Sequence, residues 1–422
     1  MKRRFLALVL AGCLAAVLST AAWAMSPTLQ NQLDNGGTVQ LDRDIDISNT
    51  LVVTKDVTLD LNGHVLKMTG NGSVIHVKSG TLTLVDNNTS AEHKFTDDNG
   101  LWKLDDNGDK VVKGGVITGG TGSTYKYNND IGQIVYNDCG GGVFVAPGAS
   151  FVMEGGNIVG CSAGKSGGGG VKVTNDGDFK MSGGTISGCI ARNGGGLRNE
   201  GTATLSDTAK IESCRATGTE SDDHGGGVCS YRNLTVSGSM VISGCTAQNK
   251  NSYAMYVTTG SPDARSSIEG GTFDGSVWLD HSSSGKITVS WGTFKNGASG
   301  VWTVTFNTNG GTPEPESQIR ANLPATKPDD PTKEGYNFGG WYTDAAFTTE
   351  YKFTESEKVT QDMPLYAKWT KEAAKYYYYS PADGSANAPK ASPKTFDPGA
   401  GIYAVSVALS LTGTAWIGRK RH

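Results

Sequence analysis

Residues 168–191 read GGGVKVTNDGDFKMSGGTISGCIA, and this stretch has three close relatives elsewhere in the chain. They begin at Gly140, Gly194 and Gly225, so successive starts lie 26 to 31 residues apart. Each contains a glycine run, a short apolar strand, a polar turn, a second alternating strand and the ending Ile-x-x-Cys-x-Ala. Self-similarity at such a period is typical of solenoid proteins.

One such unit holds two or three short strands and cannot bury its apolar face alone. Units stacked in parallel bury a continuous core, with rungs about 4.8 Å apart. Glycine permits tight corners with positive φ, where a Cβ atom would clash. The repeat length suits one coil of a parallel β-helix, so the sequence predicts an all-β solenoid over residues 25–300.

Cysteine recurs once per unit at the same place. Equivalent positions in stacked units lie above one another, and free cysteine packs well in an apolar interior. We therefore predict an inward ladder of thiols formed by Cys161, Cys189, Cys214 and Cys245. The alternative is disulfide formation in an exported chain. Bridges between rungs would need Cβ separations shorter than the rung spacing favours.

Weaker rungs extend the pattern to both sides, at 57–64, 80–84, 268–273 and 287–294. Between them, residues 86–138 are rich in Asp and Asn, which predicts an excursion out of the stack. The phrases LDLNGH at 59–64 and GGTF at 270–273 resemble pectate-lyase-like β-helices of surface proteins. The resemblance covers about residues 30–300 and implies a right-handed helix.

A different pattern occupies residues 304–370. Its phrases are VTFNTNGG from Val304, PTK from Pro331, GYNF from Gly335, GWY from Gly340 and LYAKW from Leu365. Together they closely resemble the Listeria–Bacteroides repeat, the B-repeat of internalin-type surface proteins. The resemblance implies a small, ubiquitin-like (β-grasp) module without known catalytic residues. Phe338, Trp341 and Trp369 are expected in its core, and the alternative is that an exposed aromatic among them binds a partner.

The N-terminus is predicted to be a signal peptide over residues 1–24. Three basic residues precede an apolar run, and Ala22-Trp23-Ala24 supplies an A-x-A cleavage site. A lipoprotein-like box ends at Cys13, but the apolar run continues beyond it, which favours the signal peptide.

The C-terminus is predicted to be a membrane anchor over residues 399–422. Residues 399–418 carry no charge and are long enough to span a bilayer, and a basic tail follows. Such a tail stays inside, so the preceding chain is expected to lie outside the cell. An Ala/Ser/Pro/Lys-rich spacer over 371–398 precedes the anchor and suits an extended wall-crossing segment.

The spacer contains a motif formed by Ser392, Pro393, Lys394 and Thr395. The order of motif, apolar segment and basic tail resembles a Gram-positive cell-wall sorting signal. The resemblance implies a sortase that cleaves after Thr395 and joins it to peptidoglycan. Ser392 and Phe396 depart from the L-P-x-T-G pattern. Wall linkage and retention by the apolar segment both remain open.

Few features indicate catalysis. The net charge of −4 gives no reason to expect nucleic-acid binding. Residues 277–281 resemble the v-W-i-D-H phrase of pectate lyases, but the arginine motif of those enzymes is missing. Asp222, Asp223 and His224 form a compact cluster better explained as a solvated turn. Gly164-Lys165-Ser166 lacks the glycine spacing of a phosphate loop. We predict no catalytic residue, metal or cofactor.

The expected function is therefore that of an exported, envelope-anchored surface protein. It would bind or display, as an adhesin does, a glycan or a partner protein. Two alternatives stay open. One is a carbohydrate-active enzyme, a polysaccharide lyase or glycoside hydrolase, working on the groove of the β-helix. The other is a purely structural stalk.

Overall fold

The computed structural model describes residues 28–373, apart from 130–131, 166, 220–223, 249–252 and 283–284. The side chains of 127–129 and 132–137 also lie outside the described part. Nearly all regular elements are short strands, and those between residues 37 and 299 are mostly paired in parallel. This parallel stack is consistent with the predicted β-helix.

Three parallel ladders run along the stack, because the chain adds one strand to each ladder per turn. The first ladder comprises Gly37–Gln40, Val57–Asp60, Thr81–Val85, Ser150–Met153, Asp178–Met181, Thr202–Leu205 and Asn233–Val236. The second ladder comprises Ile45–Ile47, Val65–Met68, Val116–Thr118, Asn157–Val159, Thr185–Ser187, Lys210–Glu212 and Val241–Ser243. Both end on the long strand Arg265–Asp274, which pairs with Lys286–Phe294.

The third ladder has nine strands. They are Leu51–Val53, Ile75–Val77, Val143–Val145, Val171–Val173, Leu197–Asn199, Val228–Ser230, Met255–Val257, Val277–Leu279 and Ala298–Ser299. A short fourth ladder joins Ile190–Ala191, Arg215–Ala216 and Thr246–Ala247. The weaker rungs expected from sequence are confirmed as strands of these ladders.

The interior is a continuous apolar core, because alternate side chains of each strand point inward. Like residues stack on like residues. Phe151 lies parallel to Phe179 with ring centroids 5.1 Å apart, and Phe273 lies parallel to Phe294 at 4.9 Å. Register is therefore strongly specified, since a one-residue slip would turn each apolar set outward.

The excursion expected at 86–138 is only partly outside the stack. Val116–Thr118 returns to the second ladder and pairs with its neighbours on both sides. On either side of it lie an antiparallel sheet of Glu92–Asp98, Leu101–Leu104 and Lys110–Lys113 and a hairpin of Ser123–Asn129 and Gly132–Cys139. The apolar character of 116–118 explains the correction, because this segment can be buried in a rung.

Glycines in the stack leave room for the three-stranded excursion. Trp102 donates its backbone N–H to Gly188 O at 3.0 Å. A Cβ atom on Gly188 would lie 2.1 Å from the Trp102 ring, and one on Gly160 would lie 1.8 Å from Trp102 O. Trp102 itself belongs to a small second core with Phe95, so the excursion is packed against the stack.

The first rung is covered by the helix Leu29–Asn35. Thr28 caps it, because its hydroxyl accepts a hydrogen bond from the Asn31 N–H. Leu29 and Leu33 are buried in the core of the stack, and Gly36 ends the helix at φ +77°. The helix thus covers apolar surface that the open end of the stack would otherwise expose.

Beyond the stack lies a module of five strands: Trp302–Asn307, Gln318–Arg320, Tyr336–Tyr342, Glu350–Tyr351 and Met363–Lys371. The sheet is mixed, with Trp302–Asn307 parallel to Met363–Lys371. Trp341 is the largest buried residue of its core, while Phe338 and Trp369 pack partly buried against it. No helix occurs within residues 302–373, and the ubiquitin-like form of the module is not confirmed.

The module also closes the far end of the stack. Ala321 and Val289 exchange two backbone hydrogen bonds of 3.2 Å, and Ala321 is buried in the core of the stack. The Arg320 guanidinium donates to Ser290 O at 2.6 Å. The Asn322 side-chain amide donates to Ile287 O at 3.1 Å. We refer to residues 320–322 as the end cap.

Candidate functional site

The third ladder carries a row of mostly polar and aromatic side chains on its outer face. In each strand the first and third residues point mainly into the core, so the middle residue points outward. These middle residues pair in register from rung to rung and we refer to them as the outer row: Val52, His76, Phe144, Lys172, Arg198, Cys229, Tyr256, Trp278 and Ser299.

The hairpin formed by Ser123–Asn129 and Gly132–Cys139 packs on the start of the outer row. The Tyr125 ring lies 4.9 Å from the His76 ring and 5.1 Å from the Phe144 ring. Burial, assisted by nearby Lys78, lowers the pKa of His76 to about 4. His76 Nε2 has no hydrogen-bond partner among the described residues, which suits a neutral ring.

Because His76 is neutral in the fold, acid should destabilise the protein through this residue. The folded pKa of about 4 lies below the ordinary 6.5, so the unfolded chain binds more protons between these values. The contribution of His76 to the free energy of unfolding is complete above pH 6.5. It decreases as the pH falls toward 4, by about 3 kcal/mol in total. Urea unfolding of wild type and His76→Gln across this window should show the difference. Parallel pH curves for the two proteins would contradict it.

Charged side chains form the middle of the outer row. Lys172 Nζ lies 2.6 Å from Glu200 Oε1, and Arg198 Nε donates to the same oxygen at 2.8 Å. Burial lowers the pKa of Lys172 to about 8 against the opposing effect of Glu200. Burial also disfavours the Glu200 carboxylate, but the two cations outweigh it and lower the Glu200 pKa.

This charged cluster is held internally. The Lys172 side chain is 0% exposed, so its amine cannot reach a molecule in solvent without rearrangement. Arg198 also donates to Asn193 Oδ1 and lies over the Tyr231 ring, 4.9 Å from its centroid. Such a network suits a rigid support for the face better than a reactive site, because removing one partner would leave a buried charge uncompensated.

Aromatic residues form the end of the outer row. Tyr256 lies 4.4 Å from the His224 ring and 5.5 Å from the Trp278 ring, and Tyr253 lies 5.1 Å from Trp278. The Tyr256 hydroxyl donates to Asp280 Oδ2 at 3.1 Å. We refer to His224, Tyr253, Tyr256 and Trp278 as the aromatic cluster.

The structure therefore brings together residues that sequence analysis treated separately. Trp278 and Asp280 share the outer face, as their alternation predicts, and the His224 ring packs directly on Trp278 at 5.4 Å. His224 is buried, so the solvated turn predicted for it is wrong, because neighbouring aromatic rings cover it. His281 lies elsewhere. Its Nε2 is 2.8 Å from Gly300 O, and its ring stacks on Trp302 at the junction with the module. His281 therefore has a structural role at this junction.

Two described carboxylates of the outer face, Glu200 and Asp280, are both held in the ionised form. Burial opposes ionisation of Asp280, but hydrogen bonds from Ser282 and Tyr256 lower its pKa. Glu200 is ionised through Lys172 and Arg198. General acid catalysis by a glycosidase needs a carboxyl group whose pKa is raised. Neither Glu200 nor Asp280 meets that requirement. In the described part of the chain, no three His, Cys, Asp or Glu side chains cluster as metal ligands.

The four repeat cysteines occupy equivalent buried places. Each thiol donates to the carbonyl oxygen two residues earlier, at 3.3 Å for Cys189 and 3.4 Å for Cys214 and Cys245. Their sulfurs fill the space beside the glycine corners, since a Cβ on Gly196 would lie 3.3 Å from Cys214 Sγ. No disulfide joins the six described cysteines. Their redox state in solution stays a prediction.

Burial of all six described cysteines should make their thiols slow to react, because reagents in solution do not reach them. It raises the pKa of Cys214, and raises that of Cys139 to about 12 and of Cys229 to about 11. Because the thiolate is the reactive form, N-ethylmaleimide should label the folded protein slowly and the denatured protein fully. Mass spectrometry counts the labels. Fast labelling before denaturation, or paired cysteines after it, would contradict the thiol ladder.

Several predicted sites lie outside the described residues. These are the signal cleavage site at Ala22 and Ala24, the sorting-like motif Ser392–Thr395, and the apolar segment 399–418. Asp222, Asp223 and Ser166 are likewise outside. Within the described ranges, no helix has the length and apolar character needed to cross a membrane.

The module is similar to a known family of protein domains. Residues 302–368 match the family model of the Listeria–Bacteroides repeat domain, and the module is such a repeat. A protein of Evansella cellulosilytica, provisionally named a membrane protein, is 44% identical over 69 residues. A second, provisionally named a Gly-rich membrane protein, is 42% identical over 69 residues. The match covers 16% of this chain and only 10% and 8% of these relatives. No solved structure matches the chain.

Proposed function

We propose that this protein is a cell-envelope surface protein whose parallel stack is displayed outside the cell for binding. The Listeria–Bacteroides repeat and the names of the two Evansella relatives support an envelope location. The signal-like N-terminus and the apolar, basic-tailed C-terminus support export followed by retention. Sortase linkage through Thr395 is one route of attachment, and retention by residues 399–418 is the other.

One observation carries the binding role: the outer row places aromatic and charged side chains in register on one face. Folding of the stack requires apolar side chains inside the ladders, but it does not require tyrosine and tryptophan outside them. Aromatic side chains half in contact with water are typical of recognition surfaces. Tyr253 and Trp278 are half-buried in this way. The outer face is therefore the surface on which a glycan or partner protein would bind.

The enzyme and stalk alternatives are tested together with binding. Purified protein lacking residues 1–24 and 399–422 should be screened on a glycan array while released reducing sugar is assayed. Binding without release supports the proposed adhesin-like role. Release of sugar would establish a lyase or hydrolase instead, with its catalytic groups still to be located. A protein that binds neither the array nor extracted surface proteins would be a structural stalk.

A further inference from the structure

The end of the outer row has a composition that the fold does not require. Trp278 and Tyr253 are half-buried, while Tyr256 and His224 lie buried beneath them. The Asp280 carboxylate stands beside these rings and accepts from the Tyr256 hydroxyl and the Ser282 N–H. Flat apolar surface and an ionised acceptor thus lie together at one place on the face.

The spacing of the rings excludes a cage around a cation. Cages for quaternary ammonium groups hold the cation among several aromatic faces. In the aromatic cluster the rings themselves fill the space that a cation would need. The four ring pairs that involve Tyr256 or Trp278 have centroids only 4.4 to 5.5 Å apart. What remains available to a ligand is the outer surface of Tyr253 and Trp278.

The available surface is also small for a protein partner. A stable protein interface buries about 800 Å² on each side. Among the described residues, the exposed large hydrophobic side chains are Val111, Trp291 and Tyr336, and none belongs to this ladder. Two half-buried rings with a polar edge suit a ligand about the size of one or two sugar rings.

We propose that Tyr253 and Trp278 form a stacking platform for the pyranose rings of an uncharged glycan, with Asp280 accepting hydrogen bonds from its hydroxyl groups. The C–H bonds on one face of a pyranose carry a small positive charge, which the negative face of an aromatic ring attracts. This inference rests on the proposed binding function and specifies its ligand class.

The negative charge of Asp280 favours a neutral glycan over an acidic one. Asp280 is ionised beside the platform and would repel a uronate carboxylate. The nearest cation of the outer row, Arg198, lies three rungs away, about 14 Å at the usual strand spacing. It is already bound to Glu200 at 2.8 Å, so it does not offset the charge of Asp280 at the platform.

Calorimetric titration with defined hexasaccharides tests this proposal on the protein lacking residues 1–24 and 399–422. The probes are chitohexaose, cellohexaose, mannohexaose and, as the acidic comparison, hexagalacturonate. At least one neutral probe should bind with a Kd below about 1 mM and more tightly than the acidic probe. Trp278→Ala and Tyr253→Ala should each weaken that binding at least about tenfold. Asp280→Asn should weaken it less.

Trp291→Ala is the matched control, because Trp291 is 67% exposed on the strand Lys286–Phe294 and outside the platform. It should bind as wild type does. Trp278→Phe keeps a ring and should retain binding within about threefold, which preserves the test if Trp278→Ala does not fold. Neutral-glycan binding that survives loss of both rings would overturn the platform and leave the proposed function standing. Binding of the acidic probe alone, or of none, would also overturn the platform.

Discussion

Gly195→Ala is expected to destabilise the stack by about 3 kcal/mol. Gly195 is the second glycine of a repeat corner, where neighbouring rungs approach closely. A Cβ atom there would lie 2.5 Å from Arg215 O and 2.6 Å from Gly226 O. Both neighbours are backbone atoms held in place, since Arg215 belongs to the strand Arg215–Ala216 and Gly226 O accepts a hydrogen bond from the Gly196 N–H at 3.2 Å. Urea unfolding followed by circular dichroism measures the loss.

Gly148→Ala is the control for this prediction. Gly148 has a positive φ of +74°, but a Cβ atom there would meet no other atom within 4 Å. Its substitution should cost only the conformational penalty of about 1 kcal/mol. Gly195 has no such positive φ. Comparison of the two variants therefore distinguishes the steric cost of an added Cβ atom from the cost of a positive φ. Equal destabilisation by both would show that the corners are not sterically closed.

Ala321→Asp is expected to cost at least about 3 kcal/mol, because it places a carboxyl group in the core at the far end of the stack. Ala321 is 0% exposed and pairs with Val289 through two hydrogen bonds. Loss of the end cap would also uncover the strand Lys286–Phe294, whose unpaired edge favours association between chains. Denaturant unfolding and size-exclusion chromatography report the two effects.

Ala345→Asp is the matched variant, since Ala345 is exposed in the same module. It should change the free energy of unfolding by no more than about 0.5 kcal/mol. If Ala321→Asp behaved like Ala345→Asp, the module would not be closing the stack, and its contact with Val289 would contribute little to stability.

The repeat core could be predicted from sequence because the recurring glycines and the recurring cysteines depend on each other. Stacking requires a corner without side chains, and the space beside that corner must then be filled by another side chain of the same turn. Gly196 with Cys214 and Gly227 with Cys245 show this pairing, at 3.3 and 3.0 Å from the built Cβ to sulfur. Glycine and cysteine therefore recur together, and their period alone indicates the stack.

The outer row was missed although its signal is present in the repeats. The three-residue strands after the glycine corners read VFV, VKV, LRN and VCS, followed by MYV and VWL. Their middle letters give Phe144, Lys172, Arg198, Cys229, Tyr256 and Trp278. A strand with period two points that position away from the core, so aligning the repeats and comparing equivalent positions would have predicted the outer row. Tyr253 and His224 approach it from loops, and their placement required the structure.

The end cap could not be predicted for a different reason. Residues 320–322 read RAN and carry no periodic pattern, and their partners lie 30 or more residues earlier in the chain. The family resemblance describes the module alone, so it contains no information about the surface that meets the stack. Contacts between two domains depend on their relative placement, which local patterns do not encode.

Display outside the cell is the central claim, and labelling of intact cells tests it most directly. The full chain should be produced in a Gram-positive host and exposed to a membrane-impermeant, amine-reactive biotin reagent, with a cytoplasmic protein as control. We expect the full chain to be labelled on intact cells, and a chain lacking residues 399–422 to be found in the medium. Labelling only after lysis, as for the cytoplasmic control, would contradict the claim.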